Sequence, residues 1–153
     1  MIGNRPQFIK AAAVSPGLRA GHTEVLVHTG QHFDDELSAV FFEELGLASP
    51  DRELNVALGS NSSQTARMLE ALEPLIGDEQ PDAVLVYGDT NSTLAGALAG
   101  AQQNVPVAHV EAGMRSFDRS MPEELNRVLT DHASALLLCS TARAVDNLGT
   151  EHV

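Results

Sequence analysis

The sequence predicts an α/β fold, a doubly wound parallel sheet with helices on both faces, and three observations carry that prediction. Short apolar runs alternate with stretches of helical spacing along the whole chain. The runs are unbroken rather than alternating, as in AVLVY from Ala83 to Tyr87, which suits strands buried on both faces. A polar or glycine-containing turn follows most of them, as expected where a strand hands over to a crossover helix.

Taken in order, Asn4-Arg5-Pro6-Gln7 reads as a turn and helix start, with Asn4 as cap, Pro6 at the first helical position and Gln7 at capping-box spacing. Only Met1, Ile2 and Gly3 precede it, so the strand that should feed this turn is expected to be missing. Glu24 to His28 reads as a strand, Thr29 to His32 as its turn, and Asp34 to Leu45 as a helix closed by Gly46. Ser62 to Gly77 keeps helical spacing through Met68, Leu69, Leu72, Leu75 and Ile76, and Pro81 stops it. After the Ala83–Tyr87 strand come a Gly88-Asp89-Thr90 turn and a helix from Asn91 to Gln103. Val105 to Val110 is a strand, Pro122 to Ala133 a helix and Leu136 to Cys139 a strand. Thr141 caps a last helix from Ala142 to Leu148. No linker divides the chain, so 1–153 reads as one domain.

Composition narrows the function classes. The chain has 153 residues, nine Lys plus Arg against 21 Asp plus Glu, a net charge of −12 and 43% apolar residues. That length and apolar content suit one folded domain with a real core. The acidic excess argues against nucleic acid or an anionic membrane surface as partner. An anionic ligand would have to be held by a few placed cations, of which Lys10 is the single lysine. The lone Cys139 excludes a disulfide framework and suits a reducing, cytoplasmic setting. No apolar run approaches the roughly 20 residues of a membrane span. Phosphate-loop, dinucleotide and nucleophile-elbow patterns are all missing, so no nucleotide cofactor is expected. No metal is expected either, because the His28, His32, Asp34 and Asp35 group lacks metal-ligand spacing.

Ligands of open α/β sheets bind beyond the carboxyl ends of the strands. Gly3–Gln7, Thr29–His32, Gly88–Thr90 and Glu111–Arg115 are expected to meet at that edge, with the helix opened by Pro122 beside them. Asp89 has two readings: it caps the next helix, or Thr90 and Asn91 do so and leave its carboxylate facing the cleft. Glu111 ends a strand with no helix immediately after it to cap. Apolar strand ends should raise its pKa, as proton transfer requires. Glu123 either completes a capping box with Ser120 or belongs to a polar stripe with Asn126, Arg127 and Thr130, opposite Leu125, Val128 and Leu129 in the core. A Glu123–Arg127 pair would be a surface i,i+4 ion pair or part of a site. Arg5 and Lys10 flank a helix N-terminus, where anions bind. His32 is placed to donate to a sugar or phosphate oxygen, whereas His109, inside a strand, reads as a satisfied core histidine.

Five strings in register carry a resemblance: GNRPQFIK from Gly3, HTGQH from His28, YGDTNSTLAGALA from Tyr87, PVAHVEAGMRSFDR from Pro106 and MPEELNRVLTDHAS from Met121. Together they resemble the non-hydrolysing UDP-N-acetylglucosamine 2-epimerases over essentially the whole chain. The resemblance implies a Rossmann-like N-terminal half of a glycosyltransferase-B-type enzyme, with a UDP-sugar substrate in the cleft, no cofactor and a homodimeric intact enzyme. Asp89, Glu111 and Glu123 match the three catalytic carboxylates. Arg5, Lys10 and Arg127 match substrate-binding cations. Gln31 and His32 match a turn that contacts an activating second sugar nucleotide in some bacterial members, although Gly59–Gln64 departs from those members. The opening and the SFDRSMPEE connection are also similar to epimerases of UDP-2,3-diacetamido-glucuronic acid. The resemblance further implies that a second domain is missing after Val153. A chain without it and without a central first strand would be inactive alone and marginally stable, since three or four lost inward side chains amount to about 5–10 kcal/mol. A vestigial sugar-nucleotide-binding module is the non-catalytic reading.

Overall fold

The computed structural model describes residues 1–30, 42 and 44–153. Its elements are α1 (Arg5–Arg19), β1 (Val27–His28), β2 (Arg52–Glu53), α2 (Asn61–Glu79), β3 (Val84–Tyr87), α3 (Asn91–Gln102), β4 (Val107–Ala112), α4 (Pro122–Ala133), β5 (Leu136–Cys139) and α5 (Ala142–Glu151). All strand pairs are parallel: β1 with β2, and β3 with β4 with β5. The predicted helix over Asp34–Leu45 falls almost entirely outside the described residues, as do Gln31 and His32.

The expected gap at the first strand is filled in a reduced form. Ile2 forms a parallel bridge to His28, with Ile2 N–H on Val27 O and Thr29 N–H on Ile2 O, both at 2.9 Å. On its other side the Met1 amine donates to Leu85 O at 2.7 Å. Met1–Gly3 thus stands between β1 and β3, the central place of a doubly wound sheet. Ile2 is completely buried. Gly3 is required there, because a Cβ would come within 2.2 Å of Ser92 Oγ and 2.5 Å of Thr29 Oγ1.

β3 shows why its sequence is uniformly apolar. Val84 and Val86 join a core with Met68, Leu72 and Ala95 beneath α2 and α3, while Tyr87 joins a second core with Ile2, Phe8 and Ala11 beneath α1. Both faces are covered, so every position is inward. The small residues of α3 let it ride directly on the strands: a Cβ on Gly100 would lie 2.9 Å from Val107 and 3.2 Å from Val84.

α4 runs over Pro122–Ala133 as the sequence predicts, but its inward face differs. Leu125 and Leu129 are 44% and 42% exposed, whereas Glu124, Asn126, Thr130 and Asp131 are buried together with Val128. The polar stripe points inward because it meets the turn after β3 and the loop after β4, whose backbone groups it satisfies. The expected capping box is also absent: Met121 is the N-cap with no side-chain bond. Ser120 is engaged elsewhere, its N–H and hydroxyl both donating to Asp118 Oδ1. α2 starts one residue earlier and ends two later than predicted, closed by Gln80 in a left-handed conformation. The two-residue β2 has no signal in the sequence, since both its side chains are exposed.

Candidate functional site

The turn after β3 is built to release a carboxylate. Thr90 caps α3, its hydroxyl accepting from Thr93 N–H while the Thr93 hydroxyl accepts from Thr90 N–H. That closed capping box leaves Asp89 with no capping duty. Asp89 instead pairs through Oδ2 with Arg127 of α4. Arg127 reaches in the other direction to Glu124 Oε2 at 3.0 Å. Burial works against the guanidinium charge, but the two carboxylates outweigh it and hold Arg127 above its ordinary range. The i,i+4 pair of Glu123 with Arg127 does not form, and Glu123 is exposed at the start of α4.

Glu111 lies at a break in the β4–β5 ladder. Val110 pairs with Leu138 and Ala112 with Cys139, so Glu111 is the extra, unpaired residue of a β-bulge. Its φ is +76°, in the left-handed region that non-glycine residues avoid. The bulge turns the carboxylate toward Lys10 of α1, with which it forms an ion pair across 101 positions of sequence. The apolar surroundings expected for Glu111 are therefore replaced by an ammonium group. The Gly88 turn lies against this pair, since a Cβ there would be 3.2 Å from Lys10 Nζ and 3.3 Å from Glu111 Oε2. Lys10, Glu111, Asp89 and Arg127 have side chains 18–35% exposed, within reach of a solute.

Gln7 holds these parts together. Its Oε1 accepts from Gly3 N–H at 2.6 Å, one residue before the Asn4 cap the sequence suggested. Its Nε2 donates to Tyr87 O at 2.7 Å and approaches the Thr90 and Thr93 hydroxyls at 3.0 and 2.9 Å. On the far side Asn126 donates to Asp89 O and to Asn91 Oδ1, and Asn91 donates to Asn61 and Gln64. Thr29 meets Ser92 at 2.7 Å. The predicted polar clusters therefore do converge, as far as they lie within the described residues. Arg5 is exposed in the first turn of α1, at the same edge.

Sequence reasoning missed Glu124. It is 1% exposed and accepts from Ser116 and Phe117 N–H, both at 2.9 Å, as well as from Arg127. Burial would raise its pKa, but those donors more than offset this and hold it below the usual range. The signal was present as the consecutive glutamates of MPEEL, since Glu124, Arg127 and Asp131 recur at i, i+3 and i+7. His109, Arg115 and Asp131 form a further buried group behind the site. Among the described residues no cluster of His, Cys, Asp and Glu is placed to hold a metal ion, and no helix is long and apolar enough to cross a membrane.

A cation paired with a partly exposed carboxylate occurs twice here, as Lys10 with Glu111 and Arg127 with Asp89. Such an arrangement can hold a phosphate-bearing ligand and move a proton on it. A family model described as UDP-N-acetylglucosamine 2-epimerase matches residues 18–153. A Methanococcus maripaludis UDP-N-acetylglucosamine 2-epimerase homolog is 54% identical over all of this chain and 43% of its own length. A Pseudomonas aeruginosa UDP-2,3-diacetamido-2,3-dideoxy-D-glucuronate 2-epimerase is also 54% identical, over 99% of this chain and 43% of its own. The crystal structure of Methanocaldococcus jannaschii UDP-GlcNAc 2-epimerase in complex with UDP-GlcNAc and UDP superimposes with TM-score 0.96 at 45% identity, covering 99% of this chain and 42% of that one. The chain thus spans well under half the length of these relatives, and within that span its fold matches that of the solved structure. It belongs to the UDP-N-acetylglucosamine 2-epimerase family.

Proposed function

We propose that residues 1–153 form the Rossmann-like N-terminal domain of a two-domain UDP-sugar 2-epimerase and supply its acid–base groups. The observation that carries this is Glu111: a carboxylate placed on a bulge, in strained backbone, against the single lysine of the chain. The reaction breaks the C2–H bond and the C1–O bond to UDP, forming a C1=C2 double bond in a 2-acetamidoglucal. UDP then returns to C1 as a proton is delivered to the opposite face of C2. Asp89, Glu111 and Glu123 are the groups that take and give that proton, and Arg5, Lys10 and Arg127 stabilise the departing diphosphate. Gln31 and His32 are further substrate-binding candidates, lying outside the described residues. No cofactor enters the scheme. The intact enzyme works as a cytoplasmic homodimer, and this half alone lacks turnover.

The substrate reading is UDP-N-acetylglucosamine, going to UDP-N-acetylmannosamine. The Pseudomonas aeruginosa relative at 54% identity favours a second reading, UDP-2,3-diacetamido-glucuronate. Joining this chain to the downstream part of the Methanocaldococcus jannaschii enzyme makes both readings testable. With each sugar nucleotide in D2O, epimerisation and deuterium entry at C2 are followed by NMR. Conversion of one of them is expected, and Glu111→Gln should slow it by about 10²–10⁴-fold with folding retained. A folded chimaera that converts neither, or a Glu111→Gln variant near the parent rate, would reject the assignment.

A further inference from the structure

His109 is completely buried in β4, and both of its ring nitrogens face oxygen. Nε2 lies 2.7 Å from the Gly88 carbonyl, and Nδ1 lies 2.6 Å from Asp131 Oδ1. A carbonyl oxygen only accepts, so Nε2 carries a hydrogen. An ionised carboxylate also only accepts, so Nδ1 carries one too. Asp131 is ionised: burial alone would raise its carboxyl, but the bonds from His109 and Arg115 win and hold it below the ordinary carboxylate range. The other Asp131 oxygen accepts from Gly113 N–H at 3.1 Å and from Arg115 Nη1 at 2.7 Å. Arg115 in turn forks onto Glu151, Nε to Oε1 and Nη2 to Oε2, both at 2.8 Å.

The ends of this network fall where the proposed chemistry is. Gly88 immediately precedes Asp89, and Gly113 follows Glu111 and Ala112. We infer that His109 is held as a doubly protonated imidazolium and serves as a positioning residue, clamping the turn that carries Asp89 to the bulge that carries Glu111. Its value to catalysis rests on the epimerase reading, whereas the charge and the clamp do not. The charged and titratable groups nearby are Asp131 from α4, with Arg115 from the loop after β4, Glu151 from α5 and the Cys139 thiol of β5 linked to it, and Asp89, Lys10 and Glu111 about the Gly88 turn. Only Asp131 bonds the ring among them. Asp131→Asn is the informative change, because an amide can still accept from Gly113 N–H while donating to a bare Nδ1, which removes the charge and keeps the shape.

The test is side-chain and backbone ¹⁵N–¹H NMR on this 153-residue chain, without ligand. An ordinary imidazole, with pKa about 6.5, is mostly neutral at about pH 8. His109 is expected to show two ring N–H signals there, and one N–H with one bare nitrogen would overturn the inference. In Asp131→Asn one of the two ring N–H signals should disappear, because the amide donates to a bare Nδ1. In His109→Gln the backbone amide signals of Asp89 and Gly113 should both shift. Two ring N–H signals retained in Asp131→Asn, or Asp89 and Gly113 amides unmoved in His109→Gln, would refute the clamp. Because no step needs a sugar nucleotide, failure here stays separate from failure of the epimerase assignment.

Discussion

Glu111 allows the strain at the proposed site to be measured by comparing two substitutions, Glu111→Ala and Glu111→Gly. Both remove the carboxylate and the Lys10 ion pair, whose members are 35% and 30% exposed and which is worth about 0–1 kcal/mol, so that contribution cancels between them. What remains is the Cβ at φ +76°. An L-residue in the left-handed region costs about 1–2 kcal/mol, which glycine avoids. Glycine loses more freedom on folding, by about 0.5–1 kcal/mol relative to alanine. The glycine variant should therefore be the more stable by about 0.5–1 kcal/mol. In an ordinary extended strand the order reverses by a similar amount, so the sign decides. Urea denaturation of both variants with unchanged m-values is the assay. An alanine variant equal to or more stable than the glycine variant would refute the claim that this backbone is strained to aim the carboxylate.

Other outcomes follow from the buried polar groups. Glu124→Gln turns one acceptor into a donor facing the Ser116 or Phe117 N–H and should cost about 2–4 kcal/mol in urea denaturation, an unusually large loss for an isosteric change. Glu124 and Asp131 both titrate below their ordinary range in the fold, so the stability they contribute is complete above the unfolded carboxylate pKa of about 4 and is lost as pH falls through the lower folded values. The urea midpoint should drop on acidification from about pH 5 to about pH 3, and a flat profile would contradict both assignments. Gln7→Ala leaves the Gly3 N–H without its acceptor and takes one donor from Tyr87 O and the Thr90 and Thr93 hydroxyls, which keep their bonds to one another, so it should cost about 1–3 kcal/mol by the same measurement. Leu125→Gln and Leu129→Gln, which a core reading of α4 would make severe, should each change the stability of this chain by no more than about 0.5 kcal/mol.

Much of the architecture was legible because it depends on local signals. The apolar β3 run, the Pro122 start of α4, the Thr141 cap and the β5 span all agree with the structure at or near the residue. Ladder pairing alone shaped β2, and its exposed side chains left no pattern to read. No strand precedes α1, as the sequence predicts, but three residues suffice for an isolated bridge from Ile2 to His28 and a bond from the Met1 amine to Leu85 O, neither of which has a periodic signal to read.

At the site, sequence by itself determined which residue types are available and which strand ends they follow. Motif resemblance added candidates but no geometry. Tertiary structure decided the partnerships. Lys10 meets Glu111 because α1 packs on β3, whose Gly88 turn lies against both side chains, and Arg127 meets Asp89 because Thr90 takes the cap. The inward face of α4 was misread for the same reason. Helical spacing names a stripe, but only the backbone donors of the loop after β4 make burying Glu124 and Asp131 favourable while Leu125 and Leu129 stay outside. Hydrophobic burial is additive along a sequence and can be read from it. Satisfaction of buried charge depends on donors from outside the helix that carries it, and only the fold brings them into place.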